Sequence, residues 1–119
     1  MSCLSVNCRG LGNPTTIREL RNIVKQEGPC LLFVMETKIS GDRVKSLRTS
    51  LGFAGCFAVD SNGLSGGIGL FWSAELVVDL KSYSSGHIDV VVRRENQSRS
   101  EWRFTGFYGA PRVEDRHHS

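Results

Sequence analysis

Five consecutive apolar residues, Leu31–Met35, are followed at once by the polar sequence Glu36-Thr37-Lys38. A short run of this kind predicts a strand that is buried on both faces, as strands are inside layered α/β structures. Ligands of such structures gather at the ends of strands, so a carboxylate at this position is a candidate site residue. The run therefore predicts a sheet covered on both sides, with Glu36 at its rim.

A second strand candidate also ends in polar residues that suit a binding site. The segment Cys3-Leu4-Ser5-Val6 runs into Asn7-Cys8-Arg9-Gly10. The amide of Asn7 can orient a carboxylate, a metal-bound water or a phosphate oxygen, because it both donates and accepts hydrogen bonds. Its alternative use is to form the turn before Gly10. Two strands that each end in a metal- or phosphate-competent residue predict one shared site.

Glu36 itself has two interpretations from its residue type and position. Mg²⁺ takes hard oxygen ligands and is commonly held by one or two carboxylates together with water and substrate phosphate. A carboxylate fixed at the end of a rigid strand meets that need. The alternative is that Glu36 forms a salt bridge with Lys38 or Arg9 at the edge of the sheet.

The other candidate residues are basic or phenolic and lie near predicted turns. Arg9, Lys38 and Arg112 suit contacts with phosphate, although isolated basic residues near turns are more often simply solvated. Tyr108 directly follows a strand candidate, where its phenol can bond a phosphate or cover the sheet edge. The segment from Gly63 to Gly67 contains neither the P-loop nor the G-x-S-x-G nucleophile motif, so it predicts only a tight turn.

Size and charge set broad limits on the class of protein. The 119 residues are enough for a single domain with one hydrophobic core, and the net charge of +3 permits a polyanionic partner without requiring one. No stretch approaches the roughly 20 apolar residues of a membrane helix, and no signal peptide is recognisable. The four cysteines lack C-x-x-C spacing, which favours reduced buried thiols over a zinc site. We expect an intracellular, disulfide-free protein that does not bind membranes.

The periodicity of apolar residues changes partway along the chain. A strand over 2–7 is followed by a helix capped by Asn13 or by a Thr16/Glu19 capping box, then by the buried strand and a helix capped by Ser40. After Gly52 only short strands are predicted, at 56–59, 67–72, 77–83, 88–92 and 102–107, with a turn over 95–98. The prediction is an α+β domain of two helices and about seven strands.

Three motifs in this order resemble the endonuclease/exonuclease/phosphatase superfamily. They are Asn7-Cys8-Arg9-Gly10-Leu11-Gly12, Glu36-Thr37-Lys38 and Phe107-Tyr108-Gly109-Ala110-Pro111. Together with Gly52-Phe53, Leu64-Ser65-Gly66-Gly67 and Phe71-Trp72, they resemble the N-terminal half of the endonuclease domain of plant non-long-terminal-repeat retrotransposons.

The resemblance implies a fold and an activity. The fold would be a DNase I-like four-layer α/β sandwich, and the activity a magnesium-dependent phosphodiester hydrolase that nicks DNA, in the nucleus. Glu36 would be the metal-binding carboxylate and Asn7 its partner in the metal and phosphate network. Tyr108 matches the tyrosine that contacts the scissile phosphate, while Arg9, Lys38 and Arg112 would bind substrate.

The chain also departs from the family pattern. The family's later G-D-x-N motif and terminal Asp–His pair do not occur, Val6 stands where tryptophan is usual, and Arg9 stands where repair-type members tend to carry an acid. We therefore expect residues 1–119 to be a partial domain that lacks its C-terminal half and has little or no activity alone. It would pair with the missing half or with itself. The alternative is a non-catalytic nucleic-acid-binding fragment, or a relic without a selected function.

Overall fold

Two helices and seven strands make up the computed structural model, which describes residues 2–60, 66–95 and 97–108, without the side chains of 97–100. This confirms the α+β prediction of two helices and about seven strands. The elements are β1 (Cys3–Asn7), α1 (Pro14–Glu27), β2 (Leu31–Met35), α2 (Gly41–Leu51), β3 (Gly55–Val59), β4 (Ile68–Trp72), β5 (Leu76–Ser84), β6 (His87–Arg94) and β7 (Gln97–Phe107).

Both helices begin and end at local sequence signals. The Asn13 side chain accepts a hydrogen bond from the Thr15 backbone N–H, so Asn13 rather than the Thr16/Glu19 box caps α1. Ser40 caps α2 in the same way. Each helix ends at a glycine with left-handed backbone, Gly28 or Gly52, because glycine adopts that conformation without strain. Neither helix has the length and apolar character needed to cross a membrane.

The first sheet has the strand order β1-β2-β4-β3, with β1 parallel to β2 and the other pairs antiparallel. Asn7 is in register with Met35, the last residue of β2. The carboxyl ends of β1 and β2 therefore lie side by side at one edge of the sheet.

Alternate residues of β2 face two separate apolar clusters, as side-chain alternation along a strand requires. Leu32 and Val34 pack towards the two helices, whereas Leu31 and Phe33 pack towards the second sheet. All four side chains are at most 1% exposed. The continuous apolar run at 31–35 is thus explained by a strand sandwiched between a helical layer and a second sheet.

The second sheet is the antiparallel meander β5-β6-β7, and it packs face to face with the first sheet. The rings of Phe33 on β2 and Phe104 on β7 are 5.9 Å apart, and those of Phe57 on β3 and Tyr83 on β5 are 5.0 Å apart. These contacts place β7 against β2 and β5 against β3. The first sheet therefore extends by one strand, β1, beyond the described part of the second sheet.

One turn is shorter than the sequence predicted. The turn signals at Glu95 to Ser98 predicted a loop, yet β7 already begins at Gln97, which pairs with Arg94. The β6–β7 pairing also shifts register between Val92 and Arg94.

A charged cluster joins β6 and β7 on the outer face of the second sheet. Asp89, only 6% exposed, accepts hydrogen bonds from Arg103 Nε and Thr105 Oγ1, each at 2.9 Å. The Arg103 hydrogen bond is the largest cause, ahead of the Thr105 bond, of a pKa for Asp89 lowered from its ordinary 3.8 to about 2. The cluster therefore favours the charged carboxylate in the folded state.

The stability of the fold should depend on pH through the ionisation of Asp89 in this cluster. Because the folded-state pKa is depressed, the stabilisation by ionised Asp89 is fully present above about pH 4 and is lost as the pH falls towards 2. We expect Asp89→Asn to be less stable than the wild type at pH 6, with the difference shrinking by pH 2.5. Urea unfolding at both pH values measures this; an equal difference at both would contradict the assignment.

Candidate functional site

The ends of β1, β2 and β7 bring three residues singled out in the sequence into one hydrogen-bonded group. Asn7 Nδ2 donates to Glu36 Oε2 at 3.2 Å, and the Tyr108 hydroxyl donates to the same oxygen at 2.9 Å. Tyr108 and Glu36 are 72 residues apart in the chain and follow strands of different sheets. The facing of the two sheets is therefore what assembles this group.

Asn7 serves both of the uses considered for it. While its Nδ2 donates to Glu36, its Oδ1 accepts a hydrogen bond from the Arg9 backbone N–H at 3.1 Å. This second bond forms the turn after β1 and fixes which end of the amide faces Glu36. Turn formation and orientation of the carboxylate are therefore two results of one side-chain position.

Backbone hydrogen bonds hold the segment from Glu36 to Lys38 on two sides. From one side, Gly10 N–H donates to Glu36 O at 2.7 Å and Leu11 N–H to Thr37 O at 2.8 Å. From the other, the carbonyl oxygens of Gly67 and Gly66 accept from the backbone N–H groups of Thr37 and Lys38. The Gly-rich segment at 63–67, which the sequence predicted only to be a turn, thus contributes Gly66 and Gly67 to positioning Glu36.

Three non-glycine residues of the described chain have positive φ, and all three belong to this site. The angles are 53° at Arg9, 52° at Glu36 and 56° at Lys38. Side chains with a Cβ rarely adopt this left-handed region, and each such residue costs on the order of 1 kcal/mol or more. No sequence pattern predicts this strain, since residues of these types usually occupy ordinary backbone conformations.

The surroundings of Glu36 keep its carboxylate charged. The hydrogen bond from Asn7, then that from Tyr108, lowers the pKa of Glu36 below its ordinary value, against an opposing effect of burial. The positive charges of Lys38 and Arg9 lower it further. Neither of these two cations forms an ion pair within 4 Å of Glu36 in the described chain, so the salt-bridge alternative is not what the structure shows.

The Tyr108 hydroxyl keeps its proton under the same conditions. Partial burial, followed by the hydrogen bond to Glu36 and the negative charge there, raises the pKa of Tyr108. At neutral pH the pair is therefore a phenol and a carboxylate. Tyr108 can act as a hydrogen-bond donor at this site.

One oxygen of the Glu36 carboxylate, Oε1, takes part in no hydrogen bond with a described residue and is available to a cation. Both hydrogen bonds converge on Oε2. The same residue ranges contain no group of three or more histidine, cysteine, aspartate or glutamate side chains placed to hold a metal. The donor set thus suits Mg²⁺ bound through a single carboxylate, with the remaining ligands from water or phosphate.

The basic candidates are only partly described. Arg9 and Lys38 are exposed and flank Glu36, whereas Arg112 lies outside the described residues. The cysteines do not offer a competing metal site here: Cys8, just below the site, is buried, and burial raises the pKa of its thiol to about 12. Such a thiol stays protonated and is a poor metal ligand.

Comparison with known proteins shows the fold. No protein-family model matches the chain, and no curated protein matches it in sequence. Among solved structures it is similar to the AP endonuclease LMAP from Leishmania major, with a TM-score of 0.61 at 17% identity. The match covers 89% of this chain and 39% of the endonuclease. The chain thus has the α+β, two-sheet architecture of part of a DNase I-like fold.

Proposed function

We propose that the chain carries part of a magnesium-dependent phosphodiester hydrolase site that acts on DNA. The observation that supports this most directly is the charged Glu36 carboxylate, oriented by Asn7 and Tyr108 through one oxygen and open at the other. Glu36 is the residue that would hold Mg²⁺. The similarity of the fold to an AP endonuclease agrees with this class of reaction.

The described residues have separate parts in this proposal. When bound, Mg²⁺ would stabilise the negative charge that develops on the phosphate during attack by water. Asn7 holds the Glu36 carboxylate in place. Tyr108 retains its single proton and would donate it to a phosphate oxygen only by exchanging its hydrogen bond to Glu36 for one to the substrate. Arg9, Lys38 and Arg112 would bind neighbouring phosphates.

We propose further that the chain hydrolyses DNA slowly or not at all by itself. A general base with a pKa near neutrality is needed to activate water, and the lowered pKa of Glu36 makes it a weak base. His87 is the one histidine of the described residues, and both of its ring nitrogens are hydrogen-bonded to serine hydroxyls. The base would therefore come from another polypeptide segment, because the family pattern gives no such role to His117 and His118, which lie outside the described residues.

The two edges of the second sheet support a partner that adds to β7. Both outer ladders contain a register shift, between Leu80 and Ser82 on β5 and near Arg94 in the β6–β7 pairing, but the β5 edge also carries the exposed Lys81, which discourages further strand pairing. β7 has eleven residues and pairs only with β6 among the described strands. It is on the side of the second sheet beyond which β1 of the first sheet extends. We propose that the partner is the C-terminal half of such a domain, with self-association as the alternative.

The motifs quoted for the resemblance support an origin in a plant non-long-terminal-repeat retrotransposon. The asparagine, glutamate and tyrosine motifs of that group correspond to Asn7, Glu36 and Tyr108, which lie together in the structure. A nuclear location would follow from a DNA substrate.

Binding of Mg²⁺ tests the role of Glu36 without requiring turnover. In an NMR titration, we expect Mg²⁺ to shift the side-chain amide signals of Asn7 and the ring signals of Tyr108, because both groups contact Glu36 Oε2. The shifts should vanish in Glu36→Gln, which keeps the size and the hydrogen-bond acceptor. Glu75→Gln, at an exposed carboxylate beside Arg94, is the matched control and should respond like the wild type.

Two results would contradict this assignment. One is a folded wild-type chain whose Asn7 and Tyr108 signals do not move with Mg²⁺; the other is an unchanged response in Glu36→Gln. Nicking of supercoiled plasmid tests the second part of the proposal. Nicking by the wild type that disappears in Glu36→Gln would overturn the inactivity of the isolated chain while supporting the metal role.

Binding of nucleic acid without catalysis is the second candidate function. Exposed Arg9 and Lys38 beside the strained loop favour it, since they can contact phosphates whether or not a metal is bound. In that case Arg9→Gln and Lys38→Gln would weaken DNA binding and reduce its salt dependence, whereas Glu36→Gln would leave affinity unchanged.

A further inference from the structure

The two helices are joined by a polar contact at the protein surface. The Arg21 guanidinium of α1 donates a hydrogen bond from Nη2 to Ser50 Oγ of α2 at 2.5 Å, and both side chains are exposed. The helices pack on the face of the first sheet opposite to the second sheet. The contact therefore lies in the outer helical layer and shows which side of each helix faces the other.

Three basic residues of α1 lie on the side that faces α2. In a helix of 3.6 residues per turn, positions 18, 21 and 25 fall within about 60° of one another. Since Arg21 reaches Ser50 on α2, Arg18 and Lys25 share that side. Both are exposed, so α1 presents a row of three cations along its border with α2.

The facing side of α2 repeats the same spacing with polar residues. Arg43, Ser46 and Ser50 are exposed and also fall within about 60° of one another. Ser50 accepts the hydrogen bond from Arg21 and keeps its own proton for a ligand, whereas the Ser46 hydroxyl donates to the Arg43 carbonyl oxygen at 2.6 Å. The two rows border an inter-helix groove, which is defined by Arg18, Arg21, Lys25, Arg43, Ser46 and Ser50.

The inter-helix groove has four positively charged residues and no acidic one. Of the helical acids, Glu19 and Glu27 lie on the other side of α1, about 100° or more around the helix from its three cations. Asp42 lies in the first turn of α2 and belongs to neither row. The ion pairs formed within 4 Å among the described residues involve no residue of the groove. Its positive charge is therefore available to a ligand.

The inter-helix groove begins at the edge of the first sheet where Glu36 lies. α1 follows the loop whose backbone is hydrogen-bonded to the Glu36 segment, and α2 begins at Gly41, shortly after Glu36. At a rise of about 1.5 Å per residue, Arg18 and Lys25 lie about 6 Å and about 16 Å along α1 from its first residue. The groove thus leads from that edge along the outer helical layer.

We infer that the inter-helix groove binds the phosphate backbone of duplex DNA flanking the segment held at Glu36, an inference that rests on the proposed function for the identity of the nucleic acid. Arginine suits this ligand, because its planar fork of donors can bind two phosphate oxygens at once. The bond to Ser50 uses one donor of Arg21, fixes the direction of its side chain and leaves the other donors free.

The composition of the groove favours a nucleic acid over an acidic protein segment. Protein partners are usually held by apolar or aromatic anchors near the centre of the interface. The exposed large apolar side chains of the described residues are Leu80, Tyr83 and Phe107, which belong to β5 and β7 and not to the helices. A surface of exposed cations and hydroxyl groups is instead typical of contacts to phosphate.

The salt dependence of DNA binding tests the inter-helix groove. The probe is a fluorescein-labelled duplex of about 20 base pairs, measured by anisotropy in EDTA between about 0.05 and 0.2 M NaCl, where phosphate contacts weaken with salt. We expect Arg18→Gln/Lys25→Gln to reduce the slope of log K against log [NaCl] by about 2, and the affinity at about 0.1 M NaCl by about 10- to 100-fold.

A matched control removes the same charge outside the groove. Lys45 lies on the side of α2 away from α1, and Arg93 lies on the second sheet. Lys45→Gln/Arg93→Gln should change the slope by less than about 0.5, because charges more than about 10 Å from the bound phosphates are largely screened. Circular dichroism checks that both double variants are folded.

The outcomes separate this inference from the proposed function. Equal losses in the two double variants, or no duplex binding by the wild type, would overturn the inter-helix groove as a DNA-binding surface. Labelled polyglutamate that binds as tightly as the duplex, and is weakened equally by Arg18→Gln/Lys25→Gln, would reassign the groove to an acidic protein segment. The proposed function fails instead if the Mg²⁺ response of Asn7 and Tyr108 is absent, a measurement that Arg18→Gln/Lys25→Gln should leave unchanged.

Discussion

Replacing Phe33 by alanine is expected to lower the free energy of unfolding by about 3–5 kcal/mol, the usual cost of emptying a buried phenylalanine position. Phe33 is 1% exposed and lies between the two sheets, with its ring in edge contact with that of Phe104. The cavity would open where β2 passes over β7. Since a single domain is stable by only about 5–15 kcal/mol, this change would remove a large part of the total.

Urea unfolding followed by circular dichroism measures the loss, and Phe107→Ala supplies a matched control. The chemical change is the same, but Phe107 is 71% exposed, so the control should stay within about 0.5 kcal/mol of the wild type. Equal effects at the two positions would show that Phe33 does not hold the sheets together. Loss of the Phe33 contact should also loosen the approach of Tyr108 to Glu36, because that hydrogen bond joins the same two sheets.

Adding a methyl group at Gly106 is also expected to destabilise the fold, in this case by overpacking the core instead of leaving a cavity in it. A Cβ there would lie 2.7 Å from the Phe33 ring, closer than real Cβ contacts occur, and that ring is only 1% exposed. We expect Gly106→Ala to lower the free energy of unfolding by about 1–3 kcal/mol or more, as overpacked cores do. Gly12→Ala, where a Cβ would meet Ile39 at 3.7 Å, is the control and should be nearly neutral.

Combining the two substitutions distinguishes overpacking from a backbone effect. If the Gly106→Ala methyl group clashes with the Phe33 ring, Gly106→Ala should lower the free energy of unfolding much less in a Phe33→Ala background, where the ring is absent. The double mutant would then be more stable than the sum of the two single losses predicts. Strict additivity would instead assign the loss at Gly106 to the β7 backbone.

Local signals in the sequence were sufficient for the elements and for two of the site residues. The cap at Ser40 and the apolar run of β2 depend on neighbouring residues only and were found where expected, and Asn13 is the one of the two predicted caps of α1 that the structure uses. Asn7 and Glu36 could be associated because both follow strand candidates, and parallel pairing of β1 with β2 brings those strand ends together.

Tertiary packing decided what the sequence did not reveal. The antiparallel insertion of β4 between β2 and β3 depends on which strands bury each other, not on any residue pattern. The contact of Tyr108 with Glu36 joins the two sheets, as does the close packing of Gly106 against Phe33, and no motif relates these residues. In the same way, Gly66 and Gly67 support the Glu36 segment through backbone carbonyl groups. Every residue type carries such groups, so no residue pattern predicts these bonds.

The left-handed backbone at Arg9, Glu36 and Lys38 has a consequence for how this sequence would change over time. Glycine at any of the three positions would relieve the strain, while removing a charge from the site. Backbone strain therefore favours glycine at these three positions, whereas the proposed role of the charged side chains disfavours it. In a copy released from selection for activity, replacements that relax the loop would no longer be opposed. Under the proposed function, selection for the site would be expected to keep the charged side chains at these three positions in spite of their backbone conformation.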